Sequence, residues 1–371
     1  MIAMRKTTMS ARERFKATMT FGEPDRVFYM PHWFWSTTIE RWHTEGLPRD
    51  VHIDDYFGFD RYQVVPINLG LLPPFEPEIY YEDDEYRIYR RGDGQIVKEF
   101  KRRPEGSMPQ WLDYALKSEE DWERQFKPRL NPNSPARYPL WWDDYVRSVR
   151  DRDYPLGIHL GSYYGWLRNW MGVENLSYMM YDNPQLVEEM CNYLADFVIK
   201  TVERALEEVR PDFALMWEDM AMKSGPLCSP EHFRRFMLPC YKKVTSFARS
   251  YGVEIVLLDS DGHVDPLIPL WLEGGVTGVY PFERAAGEDI VALRKQYGKK
   301  LVIIGGVDKR VLARNEEEIK HHLLDELQLP WMLSEGGYVP FVDHAVPPDV
   351  PLKNFQFYWD MVRKIAEGEF A

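Results

Sequence analysis

Residues 254–306 read EIVLLDSDGHVDPLIPLWLEGGVTGVYPFERAAGEDIVALRKQYGKKLVIIGG, and their pattern decides the fold. EIVLLDS (254–260), VTGVYPFE (276–283) and KLVIIGG (300–306) are short, nearly continuous apolar runs, as expected of strands buried on both faces. The stretches between them carry helical spacing, over 264–272 and 287–297. Strand and helix therefore alternate, which is the signature of a parallel sheet covered by helices.

Working outward, the same alternation extends in both directions. PLGIHL (155–160) and DFALMWE (212–218) read as strands before this stretch, and GGYVPFVDH (336–344) reads as a strand after it. Asn183-Pro184 opens a long helix in which Leu186, Val187, Met190, Cys191, Leu194, Phe197 and Val198 recur at helical spacing. Ser229-Pro230 opens the next helix, further helices fall within 307–329, and 352–366 is the closing one. Toward the N-terminus, Ser10 and Glu13 form a capping box for a short helix. VFYMPHWFW (27–35) reads as the first barrel strand. Ser36 starts a helix that Gly46 stops, and Pro66 limits the regularity of a strand within 62–72. Residues 86–101 carry a Gly-Asp-Gly turn between β-prone runs, a hairpin inserted on the barrel. Residues 104–137 are rich in Pro, Asn and charge and read as helix and loop outside the core. The expectation is α/β: a single (β/α)₈ TIM-type barrel over 1–371, with an N-terminal helical extension and insertions within 1–150.

Composition narrows the function classes. The 371 residues include 44% hydrophobic and 28% charged residues, ordinary for a globular enzyme. A net charge of −13 argues against a nucleic-acid footprint, which needs a basic face. Cys191, Cys228 and Cys240 are too few for a disulfide framework and fit a reducing, cytoplasmic compartment. The start, MIAMRKTTMSARERF, lacks an apolar stretch of signal-peptide length, and no run reaches the roughly 20 apolar residues of a membrane helix. No GxGxxG or GxxxxGK[ST] follows any expected strand, so dinucleotide and P-loop readings have no support.

Barrels of this kind carry their chemistry at the C-terminal strand ends. Here those ends hold Glu218-Asp219, then Asp259, Asp261 and His263, then Glu283, Asp308 and Asp343-His344. Crowded carboxylates raise one another's pKa or recruit a cation, so acid–base work and metal binding both fit. Asp259, Asp261 and Asp308 taken singly read equally well as helix caps, and His263 reads as a loop or capping residue. Five strand ends together favour a site. His344 is the sharper candidate, because Ala-Val-Pro-Pro after it continues neither strand nor helix. His32, Trp35, Tyr163 and Tyr164 read as core or as the wall of a pocket for a flat or apolar ligand. Arg168 reads as an anion holder or as a plain ion pair.

PDRVFYMP (24–31), DFALMWEDMAMKSGPLCSPEHFRRFMLPCYKKV (212–244), VLLDSDGHVDPLIPLWLEGGVTGVYPFE (256–283), GGVDKRVLA (305–313) and DHAVPPDVPLKNF (343–355) resemble the uroporphyrinogen decarboxylase superfamily. The resemblance covers most of the chain, above all 155–366. It implies one barrel with a cleft at the C-terminal strand ends. It also implies one of two chemistries. The decarboxylases use no metal and clamp substrate carboxylates with paired arginines after the first strand and an Asp on the next. Here HWFWSTTIERW holds only Arg41, and VVPINLG holds no Asp. The cobalamin-dependent methyltransferases hold zinc with a His-x-Cys pair and a later Cys. Those positions fall on Asp259, Asp261 and His344; the decarboxylases also carry a His at the last. The resemblance thus implies an enzyme moving a methyl group between a corrinoid carrier protein and a small substrate. Glu218, Asp261 and His344 would be catalytic. Asp259, Asp261, His344 and Glu218 would be ligands for zinc or another divalent metal, and His32, Trp35, Tyr163, Tyr164, Arg168, Asp219 and Glu283 would face the substrate. A decarboxylase of uroporphyrinogen or a smaller acid, and a non-catalytic binding barrel, are the alternatives.

Overall fold

The apolar runs form strands because Val, Ile, Leu and Phe can be buried on both faces of a parallel sheet. In the computed structural model, which describes residues 8–102 and 108–369, seven strands pair in sequence order: β1 Gln63–Val64, β2 Leu156–His159, β3 Phe213–Trp217, β4 Ile255–Asp259, β5 Gly278–Tyr280, β6 Val302–Val307 and β7 Tyr338–Val342. All six pairings are parallel, and the sheet curls in the manner of a TIM-type α/β fold. The first seven residues of the N-terminal reading, and residues 104–107 of the Pro-rich stretch, lie outside the described residues.

Helices follow the strands and cover the sheet. The helix Pro184–Val209 buries the seven apolar residues expected of it, and the Asn183 side chain caps it at the Leu186 N–H. The Ser10–Glu13 capping box is formed, and Leu352–Ala366 closes the chain. The helix Ala11–Met19 packs Phe15 on Phe213, the first residue of β3, at the end of the sheet away from the carboxylates. Among the described residues no helix is long and apolar enough to cross a membrane.

Two expectations need correction. Residues 27–35 do not form a regular strand: they make a single bridge, Phe34 to Val346. The run still spans from Val346, bonded to Trp33 and Trp35, to Asp60, whose N–H donates to Tyr29 O. Pro31 has no N–H to give, and Pro347 and Pro348 remove donors from the facing segment, so a continuous ladder has too few bonds to form. Residues 108–137 are not outside the core. Trp122, Phe126 and Leu130 are fully buried. Arg137 is buried with them and donates to the carbonyls of Asn68, Gly70, Arg129 and Asn131, stitching loops together. Around the Gly-Asp-Gly turn, Tyr86–Arg90 pairs with Ile96–Phe100 inside a four-stranded antiparallel sheet that also includes Glu78–Glu82 and Gln110–Asp113.

Candidate active site

The C-terminal ends of β3 to β7 bring one group of side chains together. Register sets the level: Asp259 at the end of β4 lies opposite Trp217 of β3 and Tyr280 of β5. Asp259 is half-buried, and no protein group among the described residues hydrogen-bonds its carboxyl. Burial, then the charges of Asp261 and Asp219, push that carboxyl well above the usual carboxylate range. Asp261, two residues on, is pushed up to about 7, first by burial and then by Asp219 and Glu283; Lys309 and Arg168 oppose the shift. The His344 imidazole places Nε2 3.6 Å from Asp261 Oδ2. Burial, and then Lys309, lower the His344 pKa. Trp35 lies nearly parallel to the imidazole, with ring centroids 6.4 Å apart.

The cations at this mouth are paired. Lys309 Nζ donates to Glu283 Oε1 at 3.0 Å. Arg168 donates to the Asp219 carboxylate at 2.8 Å and to the Asp219 carbonyl, and lies over the Trp217 ring. Asp219 holds φ at +45°, a conformation costly for a residue with a Cβ. Such strain is characteristic of functional sites. Sequence reading missed Lys309. Its signal was positional: a lysine in the first turn after Asp308 meets the positive end of a helix dipole, where a cation is disfavoured without another partner.

Asp219, Asp259, Asp261, Glu283, His344, Arg168 and Trp35 therefore meet at one mouth. Glu218, His32, Tyr163, Tyr164, Asp308 and Asp343 do not. Glu218 is fully buried behind the wall, and its two oxygens accept from the N–H groups of Tyr163, Tyr164 and Gly165 and from the hydroxyls of Ser162 and Tyr241. Burial raises its pKa and these donors oppose the rise. With both oxygens engaged by these donors, Glu218 anchors the 162–165 turn and is turned away from the mouth. His32 sits in a cage of Phe59, Phe341, Phe355, Tyr358 and Trp359. One ring nitrogen meets Met30 O and the other Tyr358 OH, so it has no face for substrate. Tyr163 is fully buried and bonds Leu160 O. Tyr164 is fully buried too, with a hydroxyl that finds no partner among the described residues. Asp308 caps the helix Lys309–Leu312 and pairs with Arg310. Asp343 is a brace, accepting from the N–H groups of Arg284 and Lys309 and so joining three strand ends.

Asp259, Asp261 and His344 offer two carboxylates and one imidazole, donors that zinc accepts, but among the described residues their ligand atoms are not gathered around one point, so the trio is not assembled for a shared ion. What the mouth does offer is a carboxyl that titrates near neutrality beside an imidazole, the requirement for moving one proton at neutral pH.

Comparison with known proteins agrees with this architecture. The profile of the uroporphyrinogen decarboxylase family matches residues 104–365. A uroporphyrinogen decarboxylase of Synechocystis sp. is 25% identical over 129 residues, 32% of this chain and 36% of that protein. One from Microcystis aeruginosa is 22% identical over 197 residues, 51% of each. The chain thus spans between a third and a half of the length of these relatives. Among solved structures, a methyltransferase from Methanosarcina mazei superposes with a TM-score of 0.58 at 15% identity, covering 98% of this chain and 99% of its own. That likeness concerns the fold.

Proposed function

The chain belongs to the uroporphyrinogen decarboxylase family, and from that premise we propose that it is an enzyme moving a methyl group between a corrinoid carrier protein and a small neutral or cationic substrate. The carrying observation is the charge of the mouth. Four carboxyl groups, from Asp219, Asp259, Asp261 and Glu283, surround the centre, while Lys309 and Arg168 are already paired. A substrate with many carboxylates would find no free guanidinium fork there, because the two cations are already engaged. A neutral or cationic molecule is welcomed there. The full-length likeness to a methyltransferase supports the same direction.

In this reading the closed eight-position barrel presents one acid–base pair. Asp261 and His344 take the proton that a substrate O–H or N–H must lose on methylation, or return it in the reverse direction. Trp35 stacks behind His344 and holds its plane. Asp219, fixed by Arg168, borders the substrate. The corrinoid, when docked by its carrier, supplies or accepts the methyl group. No step is assigned to a metal, because the trio expected to hold one is not assembled.

The competing reading is decarboxylation, favoured by the names of the two relatives and by an Asp261 carboxyl able to deliver a proton near pH 7. One assay separates them. Purified protein is mixed with methylcobalamin or reduced cobalamin and a panel of neutral and cationic methyl acceptors and donors, and the corrinoid spectrum is followed. In parallel it receives uroporphyrinogen. Corrinoid-dependent turnover abolished by Asp261→Asn is the expected result. Release of carbon dioxide from uroporphyrinogen without any corrinoid would replace the methyl-transfer reading with the competing one.

A further inference from the structure

The loop after β4 and the loop after β5 meet at a second cluster, on the flank of the mouth. His263 and Asp265 come from the first loop and Glu288 from the second, and one ligand atom from each lies within 4.8 Å of the others. Glu288 is 1% exposed. Its Oε1 accepts from the Val264 N–H at 2.7 Å and meets His263 Nδ1 at 3.0 Å. Among the described residues its Oε2 is buried with no hydrogen-bond partner, and so is Asp265 Oδ1. The two carboxyls interact directly. Two carboxyls facing each other in a buried place must hold either a shared proton or a cation between them.

The backbone holds all three side chains in place. Gly262 has φ +88°, and a Cβ there would lie 2.6 Å from the Ala221 backbone; the His263 N–H donates to Met222 O. On the other side, the Arg284 side chain donates to the Glu288 carbonyl, and Asp289 caps the following helix. Both loops are thus set before any ion arrives, which lowers the cost of binding one. A set of one imidazole and two carboxylates suits borderline divalent ions such as Zn²⁺ or Mn²⁺. His263 and Asp265 are half-exposed, leaving room for water to complete the shell.

We propose that His263, Asp265 and Glu288 bind one divalent transition-metal ion, separate from the Asp261–His344 pair, and that this ion ties the β4 loop to the β5 loop. Those loops carry Asp261 and Glu283, so the ion stiffens the mouth without joining the reaction. The inference stands independently of which reaction the mouth performs.

The test uses the full chain, stripped with chelator and titrated with Zn²⁺ or Mn²⁺ alone, with bound metal counted by elemental analysis and thermal midpoint recorded. The wild type should bind one equivalent and gain stability. Glu288→Gln and His263→Asn should each bind more than about tenfold more weakly, since losing even an outer-shell partner costs about 10–100-fold. Asp261→Asn should bind as the wild type does. Two variants guard against misfolding of either one. Absence of binding by the wild type would mean that a shared proton bridges the carboxyls, and the proposal falls. Loss of binding in Asp261→Asn, alone or together with the others, would move the ion to the mouth and overturn a separate site.

Discussion

Replacing Glu218 by alanine should cost far more stability than replacing it by glutamine, and the gap follows from who donates to the carboxylate. Oε2 accepts from the N–H groups of Tyr163, Tyr164 and Gly165 and from Ser162 Oγ; Oε1 accepts from Tyr163 N and Tyr241 OH. Alanine leaves three buried backbone donors unpaired. At about 1–3 kcal/mol each, the loss is roughly 3–9 kcal/mol, with water entering the cavity pulling it toward the lower half. Against a typical total of about 5–15 kcal/mol, that is close to unfolding. Glutamine keeps a carbonyl oxygen at the Oε2 position. Its NH₂ meets Tyr241, whose hydroxyl turns to accept. The loss is then the difference between charge-assisted and neutral bonds, partly offset by relief of a buried charge, or about 1 kcal/mol. Urea unfolding followed by tryptophan fluorescence measures both. If alanine comes within about 1.5 kcal/mol of glutamine, the anchoring role is wrong. If glutamine keeps its stability but abolishes turnover, Glu218 carries a proton after all.

Asp259→Asn should stabilise the protein at pH 8, because it removes a carboxyl that burial and two neighbouring aspartates disfavour as an anion; a lower urea midpoint would contradict this, and lost turnover alongside the gain would mark a stability–function trade-off. Asp261→Asn and His344→Ala should each lower turnover by roughly 10²-fold or more, the usual worth of a positioned acid or base, with the fold intact by circular dichroism; a fall below about fivefold in both would remove the pair from the chemistry. His32 is held neutral by burial, its pKa lowered from 6.5 to about 3. The unfolded chain then binds the extra proton as pH falls through 6.5, so this contribution to stability is present above 6.5 and is lost progressively below it, by about 2 kcal/mol at pH 5. Unfolding measured from pH 7.5 to 5 should show that slope in the wild type and a flatter one in His32→Phe; equal slopes would refute it.

Local pattern was enough for much of the architecture. β2 to β7, the long helix from Pro184 and the Ser10 cap all rest on residue spacing or on a donor three residues away, and these were legible without the fold. The edges of the sheet were not. Residues 27–35 have the apolar content of a strand, yet Pro31 and the prolines facing it across the gap decide how many ladder bonds exist. The buried run Trp122, Phe126 and Leu130 hid inside a charged, Pro-rich composition, because three apolar residues at helical spacing are diluted by their exposed neighbours.

The sequence alone determined an α/β chain with carboxylates at successive strand ends and placed Asp259, Asp261 and His344 among them. Only the tertiary structure decided which of these face the mouth. Glu218 and Asp219 are adjacent, of like charge and at the same strand end. One is consumed by five donors, four of them in the 162–165 turn more than fifty residues away in sequence and the fifth Tyr241; the other, at φ +45°, opens to the mouth beside Arg168. His263 reads as a loop residue until Glu288, from another loop, is brought beside it. A side chain's role depends on partners distant in the chain. Spacing along the chain carries the period of a helix or strand, and it carries nothing about which distant backbone donors will reach a given carboxylate.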